Sequence, residues 1–200
     1  DIRLLRGWNR RWSAASEALT LAVFWGDRLW PEAEAIARRE GLSVWEAMAS
    51  RIASRRKLEA LSEASDQLQA DFGTRKVPWG EVNRFQRRTG DIQQAFSDAA
   101  PSLAAPFPSA RWGALASFGA RRPDGQKRFY GSSGNSFVAV VEFGPRVRAR
   151  AVTAGGASSS PVSKHFTDQA SRYLSGDLRP VYFWPDEIKG HVARTYRPGR

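Results

Sequence analysis

The stretch from Asn135 to Phe143, NSFVAVVEF, sets Phe137, Val138, Val140, Val141 and Phe143 close together without alternation. Successive side chains on a strand point to opposite faces, so bulky apolar residues at neighbouring positions make both faces apolar. A strand of that kind belongs in a sheet covered on both sides. Gly144 and Pro145 break the run, and Val147 to Val152 then alternates valine or alanine with arginine. The spacing predicts a hairpin whose second strand has one solvated face and takes an outer position. A Gly/Ser-rich loop follows, and then a short helix over Ser163 to Leu174, closed by Gly176.

The residues before this hairpin read differently. Ser13 or Ser16 can cap a helix reaching about Trp25, because Ala18, Leu21, Ala22, Trp25 and Leu29 keep helical spacing. Pro31 suits the first turn of a second helix ending at Gly41. Ser43 with Glu46 forms a capping-box pattern that opens a long helical stretch to Phe72, with Leu58, Leu61, Leu68 and Phe72 on one stripe. Pro78 and Gly80 around Trp79 then imply an extended segment or turn. Thr89 to Phe129 is rich in Gly, Pro, Ala and Ser without a sustained period, so a long ordered loop is expected to wrap over the surface. Beyond the hairpin and its helix, a short strand is expected around Val181 to Phe183, a last helix from Pro185, and a polar tail that reads as the native C-terminus.

Several chemistries are disfavoured. Cysteine is absent, which removes disulfides, thiolate metal sites and a cysteine nucleophile. The only histidines, His165 and His191, lie far apart in sequence, and no calcium-loop spacing links the carboxylates, so no metal or cofactor is expected. Gly131 to Gly134 lacks the glycine that a nucleophile elbow needs at Asn135, and lacks a phosphate-loop ending. Ser160 or Ser163 with His165 and Asp168 would be the material of a self-standing serine hydrolase. Neighbours on one short helix do not give the in-line serine–imidazole–carboxylate arrangement of a triad, and these residues are read as fixing the loop and the helix start. The net charge of +11, from 31 Lys and Arg against 20 Asp and Glu, attracts polyanions. The arginines are scattered as separate pairs, without a zinc-finger, RNP-like or basic-zipper pattern. Nothing approaches the length of a membrane span, and the first residues do not read as a signal peptide.

One combination of residues is more specific: GSSGNS at Gly131 to Ser136, VVEFG at Val140 to Gly144, the Gly/Ser loop at Gly155 to Ser160, SKHFTDQ at Ser163 to Gln169, and YLSG at Tyr173 to Gly176. This series resembles the C-terminal end of the β subunit in the penicillin acylase (penicillin amidase) family of N-terminal-nucleophile hydrolases. The residues carrying it are Asn135, Ser136, Ser163, His165, Asp168 and Gln169, read as a structural motif and not as catalytic groups. More loosely, Leu5 to Arg11 and the VPWGEV stretch at Val77 to Val82 have family counterparts, with Asn9 standing for the usual Asp and Asn83 for the usual His.

The resemblance implies an αββα sandwich and a precursor that cleaves itself to free an N-terminal serine. That serine's own α-amino group is the base for amide hydrolysis through an acyl-enzyme. Implied substrates are β-lactam side-chain amides, acyl-homoserine lactones or lipopeptides, held in an apolar pocket to whose wall Trp79 and Trp112 are candidates. The catalytic positions fall outside this chain, which is therefore expected to be inactive alone and to need the rest of its precursor, the α subunit and the N-terminal part of the β subunit. A periplasmic or secreted location is implied as well.

The expected fold is α+β: a helical segment over residues 1–75, wrapping loops over 76–130, and a hairpin, helix and C-terminal strand over 131–200, all parts of one larger acylase domain. The alternative is a basic module that binds nucleic acid or an acidic surface without enzymatic activity.

Overall fold

A computed structural model of the chain describes residues 1–114, 118–197 and 199. The fold is α+β, with helices in the first half and sheets after them. The chain divides into two compact units, Asp1–Gly134 and Asn135–Arg200. Among the described residues no helix is long and apolar enough to cross a membrane.

In the first unit, α1 (Ile2–Arg6) precedes α2 (Glu17–Glu40), α3 (Val44–Ser50) and α4 (Ser54–Phe72). Ser16 caps α2 by accepting a hydrogen bond from the Leu19 amide at 3.1 Å. The predicted break at Pro31 does not occur: α2 runs through it as one helix. Pro31 lies exposed, while Leu21, Phe24, Leu29, Ala33 and Ala37 form a buried stripe on both sides of it. Continuous burial of that stripe outweighs the single backbone bond that proline removes.

The opposite difference occurs after Ser43. Its hydroxyl accepts from the Glu46 amide at 3.2 Å, as the capping pattern predicts. The helix it opens nevertheless stops at Ser50, and a new one starts at Ser54. The break turns Ile52 inward, where it is 4 % exposed and packs with Leu29, Ala33 and Ala60. On α4 the buried residues are Ala60, Leu61, Ala64, Ser65 and Leu68, and Leu58 lies off the stripe, exposed.

The segment expected to be extended around Trp79 is a single helical turn, α5 (Trp79–Val82), running directly into β1 (Asn83–Phe85). Trp79 and Val82 join Leu21, Phe24, Leu61 and Leu68 in the core. Three further strands, β2 (Leu103–Ala104), β3 (Phe118–Arg121) and β4 (Phe129–Gly134), complete a sheet in the order β2-β1-β4-β3, with β1 and β4 parallel.

Between β1 and β2 the chain is irregular but tied down. The Gln86 side-chain amide donates to the carbonyls of Ser97, Ala100 and Pro101 and accepts from the Ser97 amide. The Asp98 carboxylate accepts from Tyr130 Oη at 2.7 Å, and Tyr130 is fully buried against Phe96 with ring centroids 5.0 Å apart. The loop is ordered because its polar backbone groups have side-chain partners.

The second unit is built on β5 (Phe137–Glu142), β6 (Arg148–Thr153) and β7 (Arg179–Val181), with α6 (Ala170–Ser175) and α7 (Pro185–Lys189). Gly176 ends α6 at φ 74°, the left-handed cap expected there. The hairpin forms, with Phe137 opposite Thr153 and Glu142 opposite Arg148. Its order corrects the expectation: the strand order is β5-β6-β7, so the arginine-bearing strand is central and the apolar strand is at the edge. The described residues do not cover β5 on both faces either. Phe137 is 58 %, Val140 61 % and Val141 44 % exposed. This unit's core is small: Ala151, Val152, Phe166, Ala170, Tyr173 and Leu174.

Candidate functional site

Two places gather the residues singled out from the sequence. The first is the turn between β6 and α6. The helix predicted from Ser163 begins only at Ala170, so His165 and Asp168 sit in consecutive turns and not on a helix face. His165 Nδ1 lies 2.8 Å from Asp168 Oδ2. The hydrogen bond with His165 and one from the Ala157 amide hold the Asp168 carboxyl below its ordinary range.

Ser163 Oγ accepts from the His165 backbone amide at 3.1 Å, so its hydroxyl is turned to the backbone of the histidine. The His165 carbonyl accepts from the Ser158 amide at 3.1 Å. Gln169, 3 % exposed, joins loop to sheet: its amide donates to the Gly155 carbonyl and its side-chain oxygen accepts from the Thr153 amide. A Cβ on Gly156 would collide with the His165 carbonyl oxygen and the Asp168 carboxylate, so only glycine fits under the turn. At the other end of the motif, the Asn135 carbonyl accepts from Tyr173 Oη at 3.2 Å and the Ser136 carbonyl from the Ala154 amide at 2.8 Å. The six motif residues therefore form one hydrogen-bonded framework joining β5, β6 and α6. In it Asp168 holds the imidazole, while Ser163 Oγ is taken up by a backbone amide, which is not the arrangement of a triad.

The second place is a cavity of about 360 Å³ in the first unit, walled by Trp79, Trp112, Asp27, Asn83 and Ser133 among others. Trp79 is not on a loop: it is 2 % exposed at the start of α5. Trp112 stands in a 3-10 turn, Ala110–Trp112, and donates from Nε1 to Asp27 Oδ1 at 3.0 Å. Burial pushes the Asp27 carboxyl above its ordinary range, and the Trp112 indole and the Arg111 guanidinium offset this only in part. Asn83 is fully buried and donates from Nδ2 to the carbonyls of Ala105 and Phe107, at 3.1 and 2.9 Å. Its Oδ1, like Trp79 Nε1, has no partner among the described residues. Trp79 and Trp112 stand out in the sequence, whereas Asp27 does not, because its partner Trp112 is 85 positions away.

Among the described residues no cluster of His, Cys, Asp or Glu could hold a metal ion. Many of the scattered arginines are taken up internally. Arg28 and Arg56 both reach Glu63, Arg122 reaches Asp71, Arg51 reaches Glu40, and Arg146 reaches Asp186 and Glu187.

A comparison with protein families matches the penicillin amidase model to residues 1–190. No curated protein matches the chain.

Proposed function

We infer the function from one premise: the chain belongs to the penicillin amidase family, whose model spans residues 1–190. It is an amidohydrolase sequence of that family. Within it, we propose, the chain is the C-terminal portion of the β subunit, contributing scaffold and part of the acyl-pocket wall to an enzyme whose nucleophile lies elsewhere in the precursor.

In the proposed reaction the hydroxyl of an N-terminal serine attacks the amide carbonyl, and its proton passes through the serine's α-amino group to the departing amine. Water then cleaves the resulting ester, releasing the carboxylic acid and restoring the serine. Ser163, His165, Asp168 and Gln169 serve this chemistry indirectly, by fixing the turn that joins β6 to α6. The cavity walled by Trp79 and Trp112 is the candidate contribution to binding the acyl group. β-Lactam side chains, acyl-homoserine lactones and lipopeptides are the substrate classes proposed, and a periplasmic or secreted location goes with them.

The observation carrying this reading is β5. An apolar strand with Phe137 and Val140 more than half exposed and one edge unpaired among the described residues is a template for further sheet. It suits a strand completed by the α subunit and the N-terminal part of the β subunit. The pairing of so many arginines with carboxylates supports this over the basic-module alternative.

The test is turnover of a chromogenic acyl anilide. The purified chain is expected to show none, and a precursor carrying the N-terminal serine together with this chain is expected to be active. Turnover by the 200-residue chain itself would overturn the proposal.

A further inference from the structure

A groove in the first unit adjoins the cavity described above and shares Val23 and Trp112 with it. One part is a cavity of about 380 Å³ walled by Trp25, Trp45, Trp112, Leu29 and Met48. A second cavity, of about 560 Å³, lies on the other side of Trp8, Trp25 and Lys57, which line both, and Ile2, Leu5, Arg6 and Arg10 of the α1 region line it.

The two halves differ in chemistry. In the tryptophan half every indole N–H is already used. Trp8 donates to the Arg11 carbonyl, Trp25 to Lys57, Trp45 to Arg111 and Trp112 to Asp27. That half has no indole donor left to offer a ligand and rewards apolar contact. The α1 half is apolar as well, through Ile2, Leu5, Leu58 and Leu61, but adds cations. Arg6 and Arg10 are exposed, and neither enters an ion pair among the described residues. Lys57 Nζ, where the halves meet, donates to the Ala49 carbonyl at 2.6 Å and keeps further donors. Arg10 is also the one described non-glycine residue with positive φ, at 62°. Its turn is held by the Asn9 side chain accepting from the Arg11 amide at 2.9 Å.

Adjoining apolar cavities with unpaired cations beside one of them suit one kind of occupant. We propose that this groove binds a single-chain amphiphilic carboxylate, its alkyl chain against Trp25, Trp45 and Met48 and its carboxylate at Arg6 and Arg10. A neutral alkyl chain leaves the cations unused, and a cationic amphiphile meets like charge at the α1 end. The proposal does not depend on the hydrolase reading.

The experiment is calorimetric titration of the chain with monomeric dodecanoate, and with dodecyltrimethylammonium and butyrate as comparisons, at neutral pH and low salt. Saturable one-to-one binding of dodecanoate is expected, with the cationic amphiphile and butyrate at least about tenfold weaker. The double variant Arg6→Glu/Arg10→Glu, both exposed positions, is expected to weaken dodecanoate about tenfold and leave dodecanol unchanged. Ala22→Phe, on the wall of the tryptophan half, is expected to abolish both. Far-UV circular dichroism checks that each variant folds, and the surface arginine pair keeps the test open if the filled groove does not. Equal affinity for the cationic amphiphile, no saturable binding of dodecanoate, or binding that survives the arginine reversal would each overturn the proposal. Binding confined to anionic vesicles would overturn it too, because it would assign these residues to a membrane surface.

Discussion

Gly26 gives the sharpest test of the packing in the helical unit, because two physical effects predict opposite signs there. It lies inside α2, where replacing glycine by alanine ordinarily stabilises by about 1 kcal/mol. A Cβ at this position would strike the Trp112 ring, at Cη2 and, 2.8 Å away, at Cζ2. The ring has little room to withdraw. Its Nε1 is bonded to Asp27 at 3.0 Å, and it meets Trp30 edge-on at 5.5 Å between centroids. Arg111, its neighbour in the chain, is stacked on Trp30 at 4.2 Å. Overpacking a held ring costs about 1–3 kcal/mol, and pushing it off the carboxylate adds part of the ~1.5–3 kcal/mol of a charge-assisted hydrogen bond. Gly26→Ala is therefore expected to destabilise by about 1–3 kcal/mol net of the propensity gain. In a Trp112→Ala background the same substitution is expected to stabilise by about 1 kcal/mol. Urea unfolding of the four proteins of this cycle measures the coupling. Stabilisation of equal size in both backgrounds would refute the packing argument.

Tyr130→Phe is expected to cost about 1.5–3 kcal/mol, since it removes a buried hydroxyl bonded to the Asp98 carboxylate. Burial and Asp98 push the Tyr130 hydroxyl up to about 12 from 10.0, so the unfolded chain loses this proton first. Stability from this group is complete below about pH 10 and is lost as pH climbs towards 12, and the alkaline decline should shrink in the variant. Asp27 is also raised, so its contribution to stability is present below its unfolded value and lost as pH rises through the folded one. Asp27→Asn, which keeps an acceptor for Trp112, should gain on the wild type as pH rises through the acidic range in urea melts. His165→Ala removes the partner that holds Asp168, and faster hydrogen exchange is expected at the Ser158 and Gln169 amides with the first unit unchanged.

The helix cap at Ser43, the left-handed cap at Gly176 and the hairpin around Gly144-Pro145 were readable because each depends on neighbours in sequence. Where distant partners decide, local rules misplace the elements. Pro31 reads as a helix start, yet the buried row from Leu21 to Ala37 carries α2 straight through. Ser43 reads as the start of one helix to Phe72, yet the pocket beside Leu29 and Ala33 draws Ile52 inward and breaks it. His165 and Asp168 are neighbours in sequence, but the backbone that brings them together was not legible: hydrogen bonds from the Ser158, Ala157 and Gln169 amides stand where a helix was expected. The cavity was half legible. Tryptophans announce themselves, whereas Asp27 looks like any surface carboxylate until Trp112 is folded onto it.

The hairpin order carries the deepest consequence. Alternating arginines make β6 look like an outer strand, yet it is the one paired on both sides, through Ala149 to Ala151 with β7 and over its whole length with β5. Cross-strand register puts Val140 opposite Arg150 and Glu142 opposite Arg148, so one face of this sheet is mixed and charged. The other face carries Phe137, Val141 and Val181, all more than two-fifths exposed, together with Arg179. A sheet finished by its own chain buries such a face or blunts its edge with charge or proline. Here the proline, Pro180, stands on β7, at the edge away from β5. The apolar edge strand β5 has no proline and one charge, Glu142, at its end, so the proline and most of the charge lie on the other strands.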